Sequence, residues 1–369
     1  MPNLLPTEAV ETALSKRDLS NPRLGQHALQ QLVTQTNQCL TKLWKCELRL
    51  HRSCPVVALE DNYDRLGYPP DGAARDARYT RYITPNLILR TQTSAAIPNL
   101  LESIASSERN DVLLSLPGMV YRRDSIDKLH AAEPHQLDLW RLVKRSKSVM
   151  SQYDLKEMVG TILKNLLPDI EWRCIDSPHP YTENGIQIDV NWDGLWIEIG
   201  ECGLANTELL KKSGLAEYSG LAMGLGLDRL LMVKKGIPDI RLLRSDDPRI
   251  ATQMLDLNPY REVSSMPPIQ RDLSICVDQA MDVELIGDRV REQLSEADLI
   301  EDIIIQSETA YAELPQSAHE RMGMLSSHKN ILLRVTIRAM DRTLTDDEAN
   351  SIRNSVYIIL HEGSKQELA

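Results

Sequence analysis

The sequence predicts an α+β chain in two parts: an antiparallel sheet with flanking helices, then a smaller split βαβ unit. Three observations predict it. Residues 170–201 hold three alternating runs, Ile170–Ile175, Ile186–Trp192 and Leu195–Gly200, and the last two are joined by the hairpin signal Asp193-Gly194. Residues 219–232, Ser-Gly-Leu-Ala-Met-Gly-Leu-Gly-Leu-Asp-Arg-Leu-Leu-Met, read as strand, turn and helix. Beyond residue 262 the order is strand, helix, strand, strand, helix.

Composition bounds what such a chain can be. Its 369 residues allow two or three domains, and 42% hydrophobic content can fill a core. No run of 18 apolar residues occurs, so no transmembrane helix is expected. The start, Met-Pro-Asn-Leu-Leu-Pro-Thr-Glu, has neither an apolar signal core nor an Arg-rich transit pattern, and a cytoplasmic location is expected. A net charge of −11 argues against a general nucleic-acid binder and leaves RNA contact to local basic patches. The six cysteines form no Cys-x-x-Cys and no His-Glu-x-x-His occurs, so a structural zinc site is not expected and the thiols read as reduced. The chain contains no phenylalanine, although it has 11 tyrosines and 5 tryptophans.

In chain order, residues 1–24 read as a loosely held arm. Leu29, Leu32, Val33, Leu40 and Leu43 recur at helical spacing over residues 25–44. Cys46–His51 alternates like a strand, and Pro-Val-Val-Ala-Leu-Glu-Asp, 55–61, reads as a second one, either at a subunit interface or at an ordinary sheet edge. Residues 62–81 read as a long loop over the site. Leu87–Arg90 is a strand delivering Thr91-Gln-Thr-Ser94, residues 97–106 a helix, and 111–115 the lead into a hairpin whose arms are 120–124 and 135–139. Residues 155–167 are amphipathic and stop at Pro168. After a linker at 258–265 come a strand (269–277), a helix (283–294), two strands (300–308 and 330–339) and a helix (346–360), the ferredoxin-like plan. Residues 315–329 read as a loop between the middle strands, and 366–369 as a short final strand. The domains expected are an arm at 1–24, a catalytic domain at 25–262 and a C-terminal domain at 263–369.

Chemistry concentrates in two places. Gly220, Gly224 and Gly226 let a backbone pass close under a ligand, and Arg229 at the helix start suits a phosphate. Upstream stand Val-Tyr-Arg-Arg-Asp (120–124), His130 and His-Gln-Leu-Asp-Leu (135–139). Gly-Leu-Gly here follows a hairpin series instead of opening a βαβ unit, so dinucleotide binding is disfavoured.

Together these stretches resemble motifs 2 and 3 of class II aminoacyl-tRNA synthetases. Leu-Arg-Thr-Gln-Thr-Ser (89–94), Gly-Ile-Pro-Asp-Ile-Arg (236–241) and Pro-Pro-Ile-Gln-Arg-Asp-Leu (267–273) are similar to the phenylalanyl-tRNA synthetase family, in its compact single-chain layout. The resemblance runs from about residue 55 to the C-terminus. It implies a class II synthetase sheet, ATP and Mg2+ as cofactors, an aromatic amino acid and tRNA as partners, no membrane, and a monomer or homodimer. It implies that Arg122 bridges the amino-acid carboxylate and the α-phosphate, that Arg229 holds the γ-phosphate, and that Asp124 meets the adenine edge. Pro134 stands where the family stacks a phenylalanine on adenine, and His135 lies beside the nucleotide. Glu198 matches the family's strand carboxylate, which implies a contact to magnesium or ribose, with a structural hydrogen-bonder as the plain alternative. Gln92, Ser94, Gln136 and Asp138 surround the amino acid's ammonium and backbone. His179 and Tyr181 frame its ring, where the family has Phe-Pro-Phe, and Ala222 and Gly224 leave it room. Arg271, Arg334, Arg338 and Arg342 are the expected tRNA contacts of the C-terminal domain. The departures are Pro134, Asp138 in place of glutamate, and His179. They keep a second reading open: a paralogue that activates an amino acid for another acceptor, or binds without catalysis. The missing phenylalanine fits an enzyme that must be made while its own product is scarce, with lineage drift as the plain alternative.

Overall fold

The computed structural model describes residues 4–70, 75, 79–107, 109–263 and 266–366. Contacts divide it into two compact units, residues 1–122, 133–237 and 252–260, and residues 123–132, 238–251 and 261–369. The second unit is therefore discontinuous, recruiting the loop 123–132 and the stretch 238–251 that precede it in sequence.

In the first unit, residues 7–15 of the arm form helix α1 (Thr7–Ser15), which buries Ala13 beside Leu89, Met119 and Tyr121. Helix α2 (Ala28–Trp44) starts where the His27 side chain accepts from Leu29 N–H and stops at Lys45, whose φ is 50°. Its buried Leu29, Leu32, Val33, Thr36, Leu40 and Trp44 make one stripe. Strand β1 (Glu47–Leu50) follows. Of the stretch 55–61 only β2 (Val56–Ala58) is extended, because α3 (Leu59–Asn62) begins at once. Strands β3 (Tyr82–Thr84) and β4 (Leu87–Leu89) complete a small antiparallel sheet in the order β2-β4-β3, and α4 (Ile97–Ala105) leads to β5 (Asp111–Met119).

The main sheet adds β6 (His135–Lys144), then β7 (Trp172–Asp176), β8 (Thr182–Trp192) and β9 (Leu195–Ala205) after α5 (Gln152–Leu166), then β10 (Tyr218–Gly226) after α6 (Thr207–Lys212). Its order is β1-β5-β6-β10-β9-β8-β7, antiparallel except for the β1–β5 pair. Asp193 (φ 51°) and Gly194 (φ 84°) make the β8–β9 turn, both in the left-handed region that a two-residue hairpin demands. Helix α7 (Leu227–Lys235) continues directly from β10 and ends at Gly236, φ 69°. One face of the sheet buries Leu114, Leu116, Trp140, Leu142 and Ala222 against Ile97 and Leu101.

The expected hairpin arm at 120–124 is a correction. Strand β5 ends at Met119: Val120 N–H still bonds Pro134 O, beside the Met119–His135 pair, but Tyr121 N–H turns away to Arg90 O. The chain thus leaves the β5–β6 ladder one residue before the charged stretch.

The second unit holds α8 (Pro248–Ala251), β11 (Ile269–Asp278), α9 (Val283–Gln293), β12 (Ile300–Ala310), α10 (Gln316–Met322), β13 (His328–Ile337) and α11 (Asp346–Leu360). The sheet order β11-β13-β12 is antiparallel, and Ile286, Val290, Ile352 and Val356 pack with Ile275, Leu333 and Val335. The stretch 315–329 is a second correction: it contains a helix, opened by Pro315 and closed by Gly323 (φ 63°), with Met322 and Met324 buried. Of the final strand at 366–369, residues 367–369 lie outside the described residues.

Candidate active site

Strands β6, β10 and β9 lie side by side, and their register gathers the motif residues. Gln136 stands opposite Gly226, Asp138 opposite Gly224, and Trp140 opposite Ala222; Gly224 in turn faces Glu201. A Cβ at Gly224 would meet nothing within 4 Å, so the backbone there lies open beside Asp138.

Asp138 is the most unusual group. It is 1% exposed, and among the described residues none stands in full hydrogen-bond geometry to either carboxylate oxygen. Burial pushes its pKa up to about 7, against a weaker pull from the Ser94, Trp140 and Leu139 dipoles. Ser94 and Tyr181 are buried beside it, and the phenol is pushed well above its usual range by burial, with Tyr68, Asp138 and Glu201 adding to the effect. Tyr181 stacks on Trp140 at 6.0 Å between ring centroids and lies 6.2 Å from His179, whose Nε2 meets Glu201 at 2.6 Å. Ala222 is buried in the core of this face.

Gln92 is spent inside the protein: its amide donates to Asn62 O at 2.9 Å and accepts from the Tyr68 hydroxyl at 3.2 Å. Gln136 Oε1 accepts from Thr93 N–H at 3.3 Å, which orients its amide. Arg122 is half-buried, with Nε donating to Thr91 O at 2.9 Å. Arg229 Nη1 donates to the Glu198 carbonyl at 3.1 Å. Burial and then Glu201 raise the Glu198 carboxyl, while Arg229 and Arg122 pull it down, so two arginines and two carboxylates act on one another here. A bulge at Ile199 explains the pairing of Glu198 with Glu201. Ile188 faces Gly200 but Asp189 faces Glu198, so the extra residue shifts the strand's alternation by one.

His135 is 1% exposed and occupied on every side. Its N–H and Nδ1 bond the two Asp228 oxygens at 2.5 and 2.8 Å, and its Nε2 accepts from Leu19 N–H at 3.0 Å. These partners assign the ring proton to Nδ1 and leave no ring nitrogen for a nucleotide. Both ring nitrogens are therefore taken up within the first unit. Half-buried Pro134 precedes it. Asp124 belongs to the second unit, where the Arg291 guanidinium bonds its carbonyl.

The four C-terminal arginines all hold carboxylates within the second unit. Arg271 pairs with Asp346 at 2.6 Å, Arg334 with Asp272 at 2.8 Å, Arg342 with Glu348 at 2.8 Å, and Arg338 with Glu301. Among the described residues no three metal-ligating side chains come together. Sequence reading missed Asp228 and Glu201 as members of the site; Asp228 alone was signalled, by its place at the start of α7.

The family model for the tRNA synthetases class II core domain (F) matches residues 14–254. A chloroplastic/mitochondrial phenylalanine–tRNA ligase of Arabidopsis thaliana is 29% identical over 82% of this chain and 68% of its own length. The alpha subunit of a phenylalanine–tRNA ligase from Prochlorococcus marinus (strain NATL2A) is 32% identical, covering 68% of this chain and 74% of its own. A mitochondrial phenylalanine–tRNA ligase of Mus musculus is 27% identical over 92% of this chain and 78% of its own. These relatives overturn the cytoplasmic expectation: those matching more than four-fifths of the chain are named for chloroplast and mitochondrion, and point to an organelle. The composition of a short N-terminal stretch was too weak a signal to fix location. By the family model and by identity along most of its length, the chain belongs to the class II tRNA synthetases of the phenylalanine–tRNA ligase type.

Proposed function

We propose that the chain activates phenylalanine with ATP and transfers it to tRNA. The observation that carries this is Asp138: a wholly buried carboxylate with no counter-charge and no full hydrogen bond among the described residues, beside the open backbone of Gly224. A buried anion is stable only when paired, and the α-ammonium of an amino acid is the cation that suits it. Ser94 and Gln136 would complete the ammonium site. Gln92 acts one step back, holding Tyr68. His179, Tyr181 and Ala222 would frame the ring, with Glu201 fixing His179.

Adenylate formation needs two anions held in line and charge neutralised at phosphorus. Arg122 would bridge the amino-acid carboxylate and the α-phosphate, and Arg229 the γ-phosphate; their planar forks suit both groups. ATP and Mg2+ are typical of the family, and the donor set here fits the metal. Burial and then Glu201 raise the Glu198 carboxyl, which a divalent cation with hard oxygen ligands would relieve. Bound there, the ion would offset the negative charge of the phosphates. Pro134 is proposed for the face of adenine.

The second unit would read tRNA. A ferredoxin-like domain after the catalytic part favours tRNA over any other acceptor. Arg334 and Arg342 are exposed enough to exchange their carboxylates for phosphates. Changing both to alanine should raise KM for tRNA several-fold and leave pyrophosphate exchange unchanged, as loss of phosphate contacts does. Unchanged charging kinetics would remove these arginines from the interface.

ATP–pyrophosphate exchange across a panel of amino acids, followed by tRNA charging, tests the proposal. Phenylalanine should rank first, and a preference for a non-aromatic substrate would end it. Pro134→Phe is a further check. A ring restored over adenine should tighten ATP binding by roughly 1–3 kcal/mol, read by titration calorimetry. Weaker binding would mean that another side chain already covers that face.

A further inference from the structure

The four residues Glu133–Gln136 are all tied to other parts of the first unit. Arg81 Nη1 donates to Glu133 Oε1 at 2.8 Å, and Lys16 Nζ to Glu133 Oε2 at 2.7 Å. Val120 N–H donates to Pro134 O at 2.8 Å. His135 is held by Asp228 and by Leu19 N–H, and Gln136 by Thr93 N–H. Two of these ties come from residues 16–20. That stretch is itself fixed: Asp18 accepts from Ser20 N–H and Oγ, and Arg52 donates to Ser20 O at 2.6 Å. Leu19 and Ser20 are buried. The charges agree with the geometry. Burial alone would raise the Glu133 carboxyl, but Arg81 and Lys16 outweigh it and bring the pKa down to about 2.

We propose that Lys16–Ser20 is a positioning strap for the nucleotide side of the site. It touches no ligand; it fixes Glu133 and His135, and through them the Pro134 face between. The need is physical. Proline offers adenine a CH face without a π system, so a fixed face has to replace what stacking would supply. A site placed by long side chains and one backbone amide keeps its geometry only while every tie is made. The nucleotide assignment rests on the proposed ligase function; the clamping of 133–135 does not.

Lys16→Met removes one tie through a side chain that is 42% exposed, so the fold should survive. Two readouts are needed. Hydrogen exchange of the peptide covering residues 130–138 should quicken in the variant. KM for ATP in pyrophosphate exchange should rise roughly three- to tenfold, with kcat and KM for the amino acid within about twofold. Lys16→Arg should restore both. In a Lys16→Met/Glu133→Gln double variant the ATP effect should be no larger than in Glu133→Gln alone, since Glu133→Gln already cuts the tie to Lys16 along with that to Arg81. Unchanged hydrogen exchange overturns the strap. Faster exchange with an unchanged KM for ATP overturns its role at the nucleotide, as does an equal rise in both KM values. If the wild-type protein exchanges pyrophosphate with no amino acid, the ligase reading fails, while hydrogen exchange and direct ATP titration still decide the strap.

Discussion

Arg122→Ala should abolish amino-acid-dependent pyrophosphate exchange in a protein that remains folded. Charge builds at the α-phosphorus during attack by the carboxylate, and a fixed guanidinium meets it at no further cost in reorganisation. Losing one such donor typically costs on the order of 3–4 kcal/mol, a drop of a hundredfold or more in rate. The structural loss is small by comparison. Arg122 is half-buried, and its Nε–H···O bond to Thr91 at 2.9 Å contributes about 1 kcal/mol to stability. A melting curve taken beside the kinetics separates the two. Near-wild-type exchange by the folded variant would end the assignment of this arginine to the phosphoryl centre.

How much of this was legible in the sequence differs by feature, for physical reasons. The β8–β9 hairpin was visible because Asp193-Gly194 supplies the left-handed conformations that two-residue turns require, and alternation flanks it. The strand–helix join at Gly226 was visible because the period changes there from two to about 3.6. Helix α10 was not, because its seven residues are too short for periodicity to stand out; its signals were Pro315 before it and Gly323 after it. The end of β5 was hidden too. Val120 and Tyr121 have strand-forming side chains, but the Tyr121 amide turns from the β5–β6 ladder to Arg90, which lies far off in sequence.

The site was half legible. Motif spacing pointed to Arg122, Asp138, Glu198 and Arg229. It could not show that His135 is saturated, since Leu19 and Asp228 lie 116 and 93 positions away. Nor could it pair Glu198 with Glu201, because strict alternation puts residues three apart on opposite faces and a bulge reverses that. The arm at residues 1–24 was read as loose from its prolines and mixed polarity. What composition cannot reveal is a backbone amide, Leu19 N–H, with a buried acceptor waiting for it.

Asp138→Asn should stabilise the fold while disabling the site. In the unfolded chain this carboxyl ionises near 3.8; in the fold burial raises it to about 7. The fold therefore favours the protonated form, and the ionised form costs stability. That cost is absent below about pH 4, grows as pH rises towards 7, and is complete above it. The gap between 3.8 and about 7 sets an upper bound of roughly 4 kcal/mol. Asparagine keeps the shape but leaves a neutral amide unpartnered, so a gain on the order of 1–3 kcal/mol at pH 8 is expected. The melting temperature of the variant should exceed that of the wild type at pH 8, and the two should converge below about pH 4, where wild-type Asp138 is protonated. Binding should move the other way. An amide cannot neutralise the α-ammonium, and removing one member of a buried charge pair typically costs about 2–5 kcal/mol, so KM for phenylalanine should rise at least thirtyfold. In the wild type, kcat/KM for the amino acid should climb with pH and level off above about 7, as free-enzyme Asp138 loses its proton. The variant should lack that rise; Glu198, also raised, remains in it and serves as the internal control. A variant less stable than wild type at pH 8, or one with an unchanged KM, would mean that Asp138 is satisfied in some other way and that the ammonium binds elsewhere.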